Sequence, residues 1–172
     1  MNIDNPILIF LIDDDELYWK SLAIDFANNT EYKISTFITG EECIENISHH
    51  PDIIILDYYL NSIEKNAANG IDILDIIKTS HPHIPVIMLS SQDNIDVAVE
   101  CMKHKAFDYV VKSETAFLRL QKAISTILQQ KKLEKTLNWY MDRMWENVQM
   151  WECENLKIWI FANDNQQLTT DN

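Results

Sequence analysis

Four short runs dominated by Ile, Leu, Val and Phe, at residues 7–12, 53–56, 86–89 and 107–111, constrain this chain more than any other feature. Continuous apolar runs of that length are how a parallel strand covered on both faces reads. A weaker fifth run lies at 32–37. Between the runs the apolar residues return at helical spacing: Leu17, Leu22, Ala23 and Phe26, then Ile71, Leu74 and Ile77, then Val97, Val99 and Met102. Strand alternating with helix predicts βαβ units, hence an α/β fold with a parallel sheet covered by helices on both sides. Five strands and five helices are expected, the last helix ending near Gln130.

Whether such a sheet can bury a core depends on length and composition. The 172 residues suffice for one compact domain plus an appendage, since single domains usually run to about 100–150 residues. With 47% hydrophobic and 24% charged residues, the chain has the make-up of a globular protein. Its net charge of −13, with no basic stripe, argues against nucleic acid as a partner. Cys43, Cys101 and Cys153 are odd in number and widely spaced, which suits free thiols in a reducing cytoplasm. The N-terminus has no basic segment before its apolar run, and no stretch reaches the roughly 18 apolar residues of a membrane helix, so no membrane association is expected. His49, His50, His81, His83 and His104 lack zinc-site spacing and read as surface or turn residues. No glycine-rich phosphate loop is present.

Ligands of open parallel sheets bind at the carboxyl ends of the strands. In this chain those ends carry Asp13-Asp14-Asp15 after the first strand, Asp57 after the third, Ser90-Ser91 after the fourth and Lys112 after the fifth. Each residue alone has an ordinary structural use: Asp15, for example, stands where it would cap the first helix. Together they deliver carboxylates, a hydroxyl and an ammonium to one rim. Clustered carboxylates repel one another and call for a cation, and Mg²⁺ suits hard oxygen ligands beside a phosphate. A carboxylate so placed can attack a phosphoryl group and form an aspartyl phosphate. The cation, Lys112 and the Ser90 hydroxyl would share the charge on its equatorial oxygens.

The segments ILIFLIDDDE, PDIIILDYYL, GIDILDIIK, PVIMLSS and FDYVVKS resemble, in order, the successive signatures of response-regulator receiver domains over roughly residues 5–130. The resemblance implies a doubly wound sheet of order 2-1-3-4-5. It implies Asp57 as phosphoacceptor, with Asp13, Asp14, Asp57 and the backbone carbonyl of Tyr59 around Mg²⁺. It also implies Lys112 paired with the phosphate, and Ser90 with Tyr109 as a conformational switch. The implied partners are a sensor histidine kinase or phosphotransfer protein and a downstream protein target, and a phosphoacceptor of this kind is not a turnover enzyme. Three departures stand out. Ser113 follows Lys112 where the family usually has Pro, so the bond is expected trans. The loop 58–69 lacks the customary Pro and is about five residues longer than usual. Ser91 stands where Ala is frequent.

Two other readings use the same residues. Asp13-Asp14-Asp15 also resembles the DxD of haloacid-dehalogenase-like phosphatases, but that reading leaves Asp57 without a role, and no acidic pair follows Lys112 at a strand end. A degenerate receiver acting as a non-phosphorylated adapter would not need all the groups that are present.

Three segments are expected: a receiver over 1–130, an amphipathic helical extension over 131–160 and a disordered tail over 161–172. In the extension Leu133, Leu137, Tyr140, Met144, Val148 and Trp151 step by threes and fours, widened by Met141 and Trp145. Such a stripe is expected to fold back on the receiver or to form a homodimer; self-association gives a receiver without an output domain a surface through which to signal.

Overall fold

The computed structural model describes residues 6–27, 30–60 and 69–167, with side chains described through residue 145. Most of the long loop singled out above (61–68), the first residues (1–5) and the end of the expected tail (168–172) lie outside the described residues.

The elements follow the apolar runs. Strands β1 (Ile7–Ile12), β2 (Tyr32–Phe37), β3 (Ile53–Asp57), β4 (Val86–Ser90) and β5 (Asp108–Val111) alternate with helices α1 (Glu16–Ala27), α2 (Gly40–Glu45), α3 (Gly70–Ser80), α4 (Ile95–Lys103) and α5 (Ala116–Gln167). The strands form one parallel sheet of order β2-β1-β3-β4-β5. This is the doubly wound α/β fold expected, in the order that the resemblance implies. Every residue of β3 and β4 is buried, which is why their runs show no polar alternation. Successive side chains point to opposite faces. Phe10, Ile54, Leu56, Val86 and Met88 pack with Ile73, Leu74 and Ile77 of α3 and Cys101 of α4. On the other face, Phe26 of α1 meets Phe117 of α5 edge-on, with ring centroids 5.1 Å apart. Buried Leu120, Ala123, Ile124 and Ile127 continue the covered stripe of α5.

Helix starts are written in side chains. Asp15 Oδ1 accepts from the backbone N–H groups of Leu17 and Tyr18, Asn69 Oδ1 from those of Ile71 and Asp72, and Asn94 Oδ1 from that of Asp96. Two expected helix stripes are corrected. Leu17 is 83% exposed; the covered face of α1 starts one residue later and runs Tyr18, Leu22, Phe26 at the i, i+4, i+8 spacing. On α4, Val97, Ala98 and Cys101 face the core, whereas Val99 and Met102 are about half exposed. Both stripes slipped because hydrophobicity alone does not tell which of two adjacent apolar residues lies under the sheet.

The chain divides into two compact units, Met1–Ile127 and Leu128–Asn172. The second consists, among the described residues, of the remainder of α5, whose helix runs to Gln167 and so covers 161–167 of the segment expected as tail. Leu133, Leu137, Tyr140, Met144 and Trp145 are each about half to two-thirds exposed. Among the described residues, no helix is long and apolar enough to cross a membrane.

Candidate functional site

The hydrogen-bond ladder of the sheet continues one residue past three strands and so holds the rim. Asp13 N–H donates to the Phe37 carbonyl (3.2 Å), Tyr58 N–H to that of Leu89 (2.8 Å) and Lys112 N–H to that of Ser90 (2.7 Å). Asp57 and Ser90 are themselves the last residues of β3 and β4, in register with Leu89 and Val111. The side chains at these positions therefore project from a backbone with little freedom to move.

Asp13, Asp14 and Asp57 converge: each offers a carboxylate oxygen within 4.8 Å of the others. Asp13 and Asp57 are buried and Asp14 is half-buried. Lys112 reaches between the buried pair, its ammonium 2.7 Å from Asp13 Oδ2 and 2.7 Å from Asp57 Oδ2. The second oxygens accept from backbone, Asp13 Oδ1 from Asp15 N–H (2.9 Å) and Asp57 Oδ1 from Tyr59 N–H (3.3 Å). The Tyr59 N–H thus turns back on the Asp57 carboxylate. Next to the pair, the buried Ser90 Oγ accepts from Gln92 N–H (3.1 Å). Tyr109 is also buried, and its hydroxyl donates to the Gln92 carbonyl (2.5 Å). Ser90 and Tyr109 therefore meet at the backbone of one residue, Gln92, which the sequence reading did not include. The Lys112–Ser113 bond is trans, as are all peptide bonds among the described residues.

Burial dominates the electrostatics. Desolvation, aided by the charge of Asp13, pushes Asp57 up to about 6 even though Lys112 opposes the shift. Asp13 is raised as well, again chiefly by burial. For Lys112, burial lowers the value, but its hydrogen bonds and charge interactions with the two carboxylates outweigh burial and leave it raised. The buried Asp13 and Asp57 carboxylates share a single ammonium, which does not neutralise both. Asp13 Oδ2 is buried, with the Lys112 ammonium 2.7 Å away. Three clustered hard carboxylate oxygens, two of them on buried residues that share one ammonium, suit a hard divalent cation.

Sequence reasoning missed Tyr18, whose ring lies under the Lys112 ammonium at 4.7 Å from its centroid. The available signal was its position in the first turn of α1, directly after the aspartates.

Known proteins resemble this chain in sequence and in fold. The chain is 39% identical over 75 residues to the luminescence regulatory protein LuxO of Vibrio campbellii, covering 43% of this chain and 16% of that one. It is 33% identical over 103 residues to the nitrogen assimilation regulatory protein NtrX of Azorhizobium caulinodans, covering 59% and 22%. The chain thus matches only a minor part of the length of these regulators. The crystal structure of the signal receiver domain of a putative LuxO repressor protein from Vibrio parahaemolyticus superposes with a TM-score of 0.63 at 27% identity. That match covers 77% of this chain and 97% of the other. The profile of the response regulator receiver domain matches residues 9–133, and the chain accordingly belongs to the response-regulator receiver family, whose members are signalling domains.

Proposed function

We propose that the chain accepts one phosphoryl group on Asp57 with Mg²⁺ held by the acidic cluster, and transmits the change through Ser90 and Tyr109. The observation that carries this is the Lys112 ammonium held 2.7 Å from both Asp13 and Asp57 at the carboxyl rim of the sheet. An Asp57 carboxylate oxygen attacks the phosphorus of a histidine phosphoramidate or acyl phosphate, and the donor's leaving group departs with its bonding pair. Lys112 exchanges part of its contact with Asp57 for an oxygen of the arriving phosphoryl group. Asp13, Asp14, Asp57 and the Tyr59 carbonyl would hold Mg²⁺, which when bound neutralises charge on the phosphoryl oxygens. The donor partner is a sensor histidine kinase or phosphotransfer protein, and the output passes to a protein target. The setting is the reducing cytoplasm: Cys43 and Cys101 are free and buried, and burial pushes their thiols up to about 12 and about 11.

Acetyl phosphate with Mg²⁺ is expected to add a single acid-labile phosphoryl group, and chelation of the metal to stop the reaction. In Ser90→Ala the uptake persists but the Tyr109 ring no longer reports it by NMR, because the hydroxyl that couples phosphate to the Gln92 backbone is gone. Uptake that is indifferent to Mg²⁺, or a Tyr109 response intact in Ser90→Ala, would count against the two halves of the proposal respectively.

The exposed stripe of α5, Leu133, Leu137, Tyr140 and Met144, supports pairing with a second copy through the helical extension. Sedimentation of the full chain is expected to show dimers at micromolar concentration, and truncation after Gln130 to give monomers. Monomers in both cases, with and without beryllofluoride, would rule the dimer out.

A further inference from the structure

The geometry points to Tyr18 as a positioning residue for phosphoryl transfer: the face of its ring holds the Lys112 ammonium at the junction of Asp13 and Asp57. This inference rests on the phosphoacceptor reading above and adds to it the group that determines where the lysine stands.

A lysine ammonium carries three N–H groups on a flexible four-carbon stem, so its position is only as defined as its neighbours make it. Here two neighbours are carboxylate oxygens, each at 2.7 Å. The ring of Tyr18 is a third, its centroid 4.7 Å from the ammonium, within the roughly 6 Å range of a cation–π contact. An aromatic face offers negative potential but no lone pair, so it occupies the direction that water would otherwise take without competing for a proton. The ammonium side chain is only 12% exposed, so little solvent replaces that contact.

The placement of the ring is built into α1. Asp15 Oδ1 accepts from Tyr18 N–H at 3.1 Å, which pins the first turn immediately after the aspartates. Tyr18 then heads the covered stripe that continues in buried Leu22 and Phe26. Its hydroxyl is buried and, among the described residues, has no hydrogen-bond partner. An unsatisfied buried hydroxyl is a cost, so hydrogen bonding by the hydroxyl is not what keeps the side chain here. Packing and the ammonium over the ring are what remain. In the reaction, an ammonium held on its third side turns toward an incoming phosphoryl oxygen by a short rotation, without first shedding a water shell.

The test compares the full chain with Tyr18→Leu and Tyr18→Phe, by two readouts. In a proton–nitrogen correlation spectrum of the lysine ammonium groups, assigned with Lys112→Met, the wild-type Lys112 signal is expected upfield from the ring current. The signal should lose that shift in Tyr18→Leu and recover it in Tyr18→Phe. Phosphoryl uptake from acetyl phosphate with Mg²⁺ should slow about fivefold in Tyr18→Leu and be restored by Tyr18→Phe. A wild-type Lys112 signal without ring-current shift overturns the proposal by itself, even if Tyr18→Leu does not fold. So does wild-type uptake that is unchanged in Tyr18→Leu, or Tyr18→Phe as slow as Tyr18→Leu, which would move the role to the hydroxyl. Absence of uptake in the wild type would instead overturn the phosphoacceptor reading, and the positioning role with it.

Discussion

Asp57→Asn is expected to abolish phosphoryl uptake from acetyl phosphate and, in the same protein without metal, to raise the melting temperature at pH 7.5. The first effect is the loss of the proposed nucleophile: an amide keeps the shape of the side chain and one oxygen able to accept from Lys112, at the cost of the bond from Tyr59 N–H, and has no anionic oxygen to attack phosphorus. Uptake should fall below detection. The second effect follows from burial, which raises Asp57 from its ordinary 3.8 to about 6. Between those values the folded chain binds the proton more tightly than the unfolded one. The group's stabilising contribution is therefore complete below about pH 4 and lost as pH rises through about 6. At roughly 1.4 kcal/mol per pH unit, the ionised carboxylate costs the metal-free fold on the order of 3 kcal/mol at neutral pH. Neutral asparagine avoids that cost, so the variant should melt several degrees higher at pH 7.5, with the difference vanishing near pH 4. Added Mg²⁺ should stabilise the wild type more than the variant, because the cation binds the folded cluster and meets one charge fewer in the variant. A phosphoryl group that survives Asp57→Asn and disappears in Asp13→Asn would move the nucleophile to the first strand, as the phosphatase reading requires. A lower melting temperature in metal-free Asp57→Asn would refute the electrostatic account.

Gly70→Ala is expected to destabilise the protein by about 3 kcal/mol, the upper end of what overpacking usually costs. Helix propensity argues the other way: Gly70 is the first residue of α3, and alanine in a helix is favoured over glycine by up to about 1 kcal/mol. Geometry decides between them. A Cβ at position 70 would lie 2.3 Å from the Asp57 carbonyl oxygen and 2.8 Å from Tyr58 Cα, and neither atom belongs to a flexible side chain that could swing away. The close approach is locked by Gly70 N–H donating to the Tyr58 carbonyl at 3.1 Å. Relief requires moving the end of β3, and with it Asp57. Urea unfolding should therefore show a lower midpoint, and phosphoryl uptake in the folded fraction should slow. An unchanged or higher midpoint would show that the backbone at Tyr58 yields to the added methyl group and that Gly70 does not hold Asp57 in place.

The parts of this protein that were legible in its sequence are those written in burial. Strands covered on both faces must be apolar throughout, so ILIFLI, IIIL and VIML mark β1, β3 and β4 with little ambiguity. Because such sheets present their ligand site at the carboxyl ends, the same runs pointed to Asp13, Asp14, Asp57, Ser90 and Lys112 before any geometry was known. The Asp15 cap was readable for a similar reason, since a local side-chain acceptor for the next turn depends on adjacent residues alone.

What the tertiary structure alone decided concerns contacts between elements that are distant in sequence. Leu17 is the more apolar of two neighbours, yet packing of α1 on the sheet exposes it and sets Tyr18 under Lys112. Gln92 carries no chemical signal, yet its backbone accepts from Tyr109 and donates to Ser90 because the chain turns there after β4. The sequence carried the last helix past Gln130 but ended it too early: α5 runs to Gln167, because the mostly polar residues 161–167, read as tail, carry no stop signal either. The raised pKa of Asp57 likewise depends on burial and on Asp13 brought beside it from the first strand, which together outweigh the ammonium arriving after the fifth. Strand identity and the roster of reactive groups are local properties of a sequence. The distances, the charge balance and the residue that holds the lysine depend on several elements at once, and exist only when the chain is folded.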